Sequence, residues 1–319
     1  MRLGALCALL ALSLAACGSE GAAQPGQANA PTTTVAETTT TEARLPAPPP
    51  YQPLPDEPVA DAKKLAADVI QAIGTYDEGA GTVPAAEVRL AGTADPALAQ
   101  VASPLLVPDA QATVEVVYPQ LGGLTGTQAS VMVVARQRLL RDGTESSVTR
   151  TIDVRLTRSA SGWAAASIAS LGGEPPVTPT PSPLGQAVLD HNAIDLPDSA
   201  RWDIEAGTID DRLLQVLLDL AAEHQIGVVT LASGHPYNVF ASQSVSNHTR
   251  GRAVDIWSVD GQAVLLQRDP AGPLQGLVTR LLAESGLTEV GSPWDLDPVG
   301  GPSFTDTVHQ DHLHLGFKR

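Results

Sequence analysis

Cysteine is almost missing. Of 319 residues only Cys7 and Cys17 carry a thiol, and Cys7 lies inside an apolar N-terminal run. With that run removed as a signal, no disulfide can form within the chain and no cysteine remains to bind a metal. Any metal must then be held by His and carboxylate side chains. Basic side chains are also scarce, with 19 Lys and Arg against 35 Asp and Glu and a net charge of −16. Residues 184–319 alone carry 18 acidic against 8 basic side chains, a balance of −10. A nucleic-acid groove needs clustered cations, and the chain has none, which sets nucleic-acid binding aside. Beyond Leu3–Ala16 the chain is too polar for several membrane spans.

What is present falls into segments. Met1-Arg2 and the apolar stretch Leu3–Ala16 have the length and charge of a signal peptide, ending at Leu14-Ala15-Ala16-Cys17. Residues 18–56 are rich in Thr, Pro, Ala, Gln and Glu with almost no large apolar side chains, so they read as a disordered tether. At ~3.1 Å per residue such a tether reaches on the order of 100 Å. Residues 57–172 predict a small α+β domain. Its opening helix repeats Leu65, Ala66, Val69, Ile70 and Ile73 at helical spacing and stops at Gly74. Strands are predicted over 112–118, 128–140, 148–158 and 163–170, parted by turns such as Asp142-Gly143 and Ser161-Gly162. In the third strand Val148, Ile152, Val154 and Leu156 share one face, with Thr149, Thr151, Asp153 and Thr157 on the other. One helix over a curved antiparallel sheet is similar in shape to NTF2-like lipoprotein domains. No convergent catalytic set is visible there, so this domain reads as a spacer or as a module that binds an envelope protein. Residues 173–183 form a linker stiffened by prolines at 175, 176, 179, 181 and 183.

Residues 184–319 predict a second α+β domain. Thr208 to Gln225 is its clearest helix, with Thr208 and Asp211 placed as a capping box and Gly227 beyond the end. A buried strand is expected over 228–232, a helix over 273–285 and a short strand over 288–290. The chemistry lies in two stretches, Ser246-Asn-His248-Thr-Arg-Gly251-Arg-Ala253-Val-Asp255 and His309-Gln-Asp311-His312-Leu-His314. Catalytic zinc takes three protein ligands and keeps a fourth position open, and His248, Asp255 and His314 can supply that set. Ala253–Trp257 has strand composition, which puts Asp255 on the face of Ala253 and Trp257 and turns Val254 and Ile256 to a core. Gly251 allows the chain to turn so that His248 and Asp255 converge. His312 and His314 stand two apart, with Leu313 and Leu315 facing the core. Of the remaining histidines, His191 and His224 read as structural, and His235 is open to either role.

At these residues the sequence resembles the zinc peptidases of the D-Ala-D-Ala carboxypeptidase and hedgehog-type fold, which carry Ser-x-His-x-x-Gly-x-Ala-x-Asp and a later His-x-His or Glu-x-x-His. The His-x-x-His-x-His ending is most similar to penicillin-insensitive murein endopeptidases, matched by His309, His312 and His314. The resemblance covers roughly residues 184–319. It implies that His248, Asp255 and His314 bind zinc and that His312 lies beside the catalytic water. Members with a Glu base place it where this chain has Asp311, one methylene shorter. Asp311 and His309 are therefore the two candidate bases, with Asp311 preferred and His312 the partner of the tetrahedral intermediate. Where many members carry Ser-Gly-Tyr-Arg, this chain has Ser233-Gly234-His235-Pro236, which leaves Arg250 or Arg252 to supply positive charge to a substrate. Trp294 can wall the substrate pocket or anchor a loop. Leu14-Ala15-Ala16-Cys17 resembles a bacterial lipobox, which implies lipidation at Cys17; the alternative is an ordinary cleaved signal.

Two function classes follow. The first is a lipid-anchored zinc metallopeptidase on the outer face of the cytoplasmic membrane, cleaving amide bonds in peptidoglycan stem peptides as an endopeptidase or carboxypeptidase. The second is a catalytically silent, zinc-containing binding or regulatory lipoprotein of the cell envelope.

Overall fold

A helix-covered antiparallel sheet and a mixed sheet make up the computed structural model, which describes residues 44–319. The signal-like run, Cys17 and the predicted tether as far as residue 43 lie outside the described residues. Helix α1 (Ala60–Gly74) buries Ala62, Ala66, Ala67, Val69, Ile70 and Ile73, the face its periodicity marks, and it buries Lys63 as well. Two short helices follow, α2 (Val83–Leu90) and α3 (Leu98–Val101). Strands β1 (Gln111–Leu124), β2 (Gln128–Arg141), β3 (Thr144–Ser159) and β4 (Gly162–Ser170) form an antiparallel meander in sequence order. Asp142 and Gly143 both have positive φ, the two-residue turn that matches strand twist in a hairpin. One sheet face carries Val131, Val133, Ile152, Val154 and Leu156 into a core with α1.

The other face is covered along its middle. Met132 and Val134 pack with Val229, and Tyr118 stacks on Trp257 at 5.0 Å. Thr151 and Asp153, polar positions of β3, are buried there. Each is satisfied: Thr151 Oγ1 donates to the Val229 carbonyl at 2.5 Å, and Asp153 accepts from Ser130 Oγ at 2.6 Å. Left unpaired in that position, each polar group would cost about 1–3 kcal/mol. Two halves read from sequence as separate domains thus share a face, and the described residues fall within one compact unit. The proline-rich stretch does lie between the two sheets, largely exposed but tied at both ends: Arg150 donates to the Gly173 carbonyl at 2.6 Å, and Thr180 N donates to the Glu205 carbonyl at 2.7 Å. Residues 44–56, read from sequence as part of the tether, are packed against the first half as well. Leu45 is buried with its N–H on Gln111 Oε1, and the Tyr51 hydroxyl donates to Glu57.

The second half contains α4 (Pro183–Leu189), β5 (Ile194–Asp195), α5 (Asp198–Glu205), α6 (Asp211–Ala221), β6 (Ile226–Thr230), β7 (Ala253–Val259), β8 (Gln262–Ala263), α7 (Pro273–Glu284), β9 (Glu289–Gly291), β10 (Ser303–Phe304) and β11 (Leu313–Gly316). The sheet order is β10-β9-β11-β7-β6-β5, with β8 beside β7. Helices α6 and α7 fill one face with leucines against Val254, Ile256, Leu313 and Leu315. The cap of α6 is Asp210, whose carboxylate accepts from Arg212 N at 3.0 Å. Thr208, expected in that role, instead donates its hydroxyl to the Asp203 carbonyl.

Candidate metal centre

Strands β7 and β11 are antiparallel neighbours, and their register sets His314 directly opposite Asp255. Side chains so paired stand within about 4.5–5.5 Å at Cβ, which brings an imidazole and a carboxylate together with no help from a loop. Both are on the face away from α6 and α7. His248 joins them through the turn before β7, in which the Asn247 carbonyl accepts from Arg250 N and Arg252 N and the His248 carbonyl from Gly251 N. Gly251 has φ 67, and a Cβ there would run into the Thr208 carbonyl oxygen, so only glycine closes this turn.

Three donor atoms converge. His248 Nε2 lies 3.1 Å from Asp255 Oδ1, His314 Nδ1 lies 3.0 Å from the same oxygen, and the two nitrogens are 3.1 Å apart. Ligand atoms on one tetrahedral zinc are separated by roughly 3.3 Å, so the set fits an ion of that size. The tautomers fit too. His248 Nδ1 faces the Leu231 carbonyl at 2.7 Å and must carry the proton, which leaves Nε2 with its lone pair toward the centre. His314 Nε2 lies 3.6 Å from Glu289 Oε2, which orients the ring from behind, and Glu289 is itself held by Asn247 at 2.6 Å.

His235 is the one histidine left open by sequence, and its ring lies beside this group. Its donor atom is within 4.8 Å of those of His248 and Asp255, so a His-His-Asp group able to hold a metal is present. As third ligand, His314 fits better than His235. The rings of His235 and His248 are stacked at 4.0 Å with 14° between planes. Imidazole lone pairs lie in the ring plane, and one ion cannot lie in two parallel planes. The loop that carries His235 is pinned by Asp203, which accepts from Ala232 N, Ser233 N and Ser233 Oγ.

Asp311 is placed differently from its expected role. It precedes β11 and turns away from the donor atoms, fully buried, where it pairs with Lys63 and accepts from Leu121 N at 3.1 Å. Its other oxygen accepts a hydrogen bond from His312 Nδ1 at 2.6 Å. A carboxylate with both oxygens engaged and no exposure cannot reach a substrate water. The preference for Asp311 as proton acceptor therefore gives way to an orienting role behind His312. His312 is nearly fully buried, and its Nε2 lies 3.9 Å from Asp255 Oδ1, at the edge of the donor set. His309, the other candidate, turns Nδ1 to Asp306 at 2.8 Å and stands 5.0 Å from the His312 ring.

His248, Asp255, His309, His312 and His314 line a cavity of about 580 Å³ with Gln120, Phe240, Arg250 and Phe304. Arg250 is on its wall, exposed. Arg252 is not, and lies 3.9 Å from Asp210. Trp294 packs against the second core and anchors its loop, away from the cavity. His191 and His224 are likewise remote, as expected.

Charge is organised around Asp255. Burial alone would raise its pKa, but His248 and His312 beside it hold it well below the usual carboxylate range. Burial opposes charge on His314, yet hydrogen bonds to Asp255 and Glu289 outweigh it and raise its pKa to about 9. In His309 burial wins and lowers the pKa, which keeps the ring neutral near pH 7, while Asp306 is held at about 2 against its own burial by its bonds to His309.

Three residues that bear on the centre carry no local sequence motif: Gln120, Lys63 and Glu289. Lys63 left one trace, a cation on the apolar stripe of α1. Comparison of the chain with protein-family models, with curated proteins and with solved structures found no match. Among the described residues no helix is long and apolar enough to cross a membrane.

Proposed function

We propose that the chain is a zinc-dependent hydrolase that cleaves amide bonds of peptidoglycan stem peptides on the outer face of the cytoplasmic membrane, anchored there through Cys17. The observation that carries the reading is the convergence of His248 Nε2, Asp255 Oδ1 and His314 Nδ1 within 3.1 Å at a cavity wall. Two imidazoles and a carboxylate are the donor set of catalytic zinc. Zinc held there would supply Lewis-acid polarisation of the scissile carbonyl and a water more acidic than bulk.

The chain's own residues do the rest. His312 Nε2, 3.9 Å from Asp255 Oδ1, accepts the proton of the attacking water. Asp311 keeps the ring turned and stabilises the imidazolium that forms, and Lys63 keeps Asp311 in place. His309, neutral and on the cavity wall, offers Nε2 for a proton on the other side of the substrate. Arg250 supplies positive charge for a stem-peptide carboxylate in an otherwise acidic half. The substrate class is supported by the sequence resemblance and by the lipoprotein-type start of the chain.

His312→Gln is expected to keep its zinc and to lose turnover by about 10²–10⁴-fold, the range of a lost general base. Parallel zinc analysis and peptide-release kinetics check this. Zinc affinity should depend on pH in one direction. Free of metal, His314 carries a proton below about pH 9, and zinc must displace it. Apparent affinity therefore rises by about tenfold per pH unit toward pH 9 and flattens above it, measured by chelator competition. The same raised pKa stabilises the metal-free fold fully below the ordinary value of 6.5, and that contribution is lost as pH rises through about 9.

The function itself is tested by incubating zinc-loaded protein with purified peptidoglycan and synthetic stem peptides and analysing the products by mass spectrometry. New peptide termini that vanish with chelator are expected. Zinc-loaded protein that releases none overturns the hydrolase reading and leaves a zinc-containing binding protein.

A further inference from the structure

The first half of the chain reaches into the metal centre at one fully buried side chain, Gln120 of β1. Its Nε2 donates to Asp255 Oδ2 at 2.6 Å, while the other oxygen, Oδ1, is the one that meets His248 and His314. A carboxylate only accepts, so the amide must turn its nitrogen to Asp255 and its carbonyl away. That carbonyl oxygen, Oε1, is buried and has no hydrogen-bond partner. A buried acceptor without a partner destabilises a fold, and an apolar side chain of similar shape avoids the cost. Gln120 thus leaves one end unsatisfied while the other end grips a ligand carboxylate. Folding alone gives no reason for that choice.

We propose that Gln120 is a positioning residue of the metal centre, fixing the Asp255 carboxylate so that Oδ1 alone faces the two imidazoles. The first sheet is then a working wall of the centre and not a spacer. A second grip from the same half points the same way, because Lys63 of α1 and Leu121 N of β1 hold Asp311, the carboxylate behind His312. The inference rests on reading the cluster as a metal centre, and it is independent of which amide bond, if any, is cut.

The test uses the full chain as wild type and Gln120→Met, an uncharged side chain of similar length. Zn²⁺ affinity is measured by chelator competition, the Co²⁺-substituted protein by its visible absorption, and the metal-free fold by thermal melting. With the carboxylate free to rotate, zinc affinity is expected to fall by about 10–100-fold, the usual effect of losing an outer-shell partner. The Co²⁺ bands should shift as the second oxygen swings toward the ion, and the metal-free protein should stay folded. A folded variant with affinity within about twofold of wild type and an unchanged cobalt spectrum overturns the proposal. If Gln120→Met does not fold, Gln120→Leu carries the same expectation and the same contrary result. Wild type that binds neither ion overturns the metal centre itself, which separates that failure from failure of the role given to Gln120.

Discussion

Asp255→Ala is expected to strip the protein of metal and of activity together. Asp255 meets four groups of the centre: His248 at 3.1 Å, His314 at 3.0 Å, His312 at 3.9 Å and Gln120 at 2.6 Å. Removing it takes away a ligand and also the charge that draws the histidines together. The loss of affinity should exceed the about 10–100-fold that follows loss of an outer-shell partner. Elemental analysis after zinc reconstitution should show metal in wild type and almost none in the variant. A second readout needs no metal: the pKa of His314, raised to about 9 chiefly by its bonds to Asp255 and Glu289 against burial, should fall in the variant, as followed by NMR. Retention of stoichiometric zinc by Asp255→Ala would place the ion elsewhere.

Lys63→Met is expected to be the most destabilising single change in the first half. Lys63 is completely buried with both its partners, Glu57 at 2.7 Å and Asp311. Removing one member of a buried ion cluster leaves charges with no compensation and costs about 3–5 kcal/mol. For a unit of this size each kcal/mol lowers Tm by roughly 2–4 °C, so a drop of about 6–20 °C is expected in thermal melts. Turnover should fall as well, because Asp311 loses its anchor and His312 its fixed orientation. The double variant Glu57→Gln/Lys63→Met removes one of the stranded charges and should recover part of the stability. A Lys63→Met protein that melts with wild type would mean that the cluster does not hold the halves together.

Much of this was legible in sequence, and the limits have physical causes. Periodicity marked α1, the four strands of the meander, α6 and α7, because each buries one face against its own half. The convergence of His248, Asp255 and His314 was legible because Asp255 and His314 sit in strand-like stretches with Leu and Val at alternate positions, and because Gly251 stands where the chain must turn. The shared face between the halves was not. Thr149, Thr151 and Asp153 alternate with apolar residues as an open sheet would, and only a partner such as the Val229 carbonyl, 78 residues away, reveals Thr151 as buried. Asp311 was misjudged because its role depends on Lys63, 248 residues distant, which no local spacing encodes. Gln120 has no sequence signature at all, since an amide in a strand is ordinary until its partner is seen to be Asp255.

We propose a metal held by His248, Asp255 and His314 against the wall formed by the first sheet. Anomalous diffraction at the zinc absorption edge, on crystals of the zinc-reconstituted full chain, tests it most directly. One peak per chain is predicted, about 2.0–2.2 Å from His248 Nε2, Asp255 Oδ1 and His314 Nδ1, with Gln120 still on Asp255 Oδ2. A peak coordinated by His235 in place of His314, or no peak at this cluster after reconstitution, would contradict it.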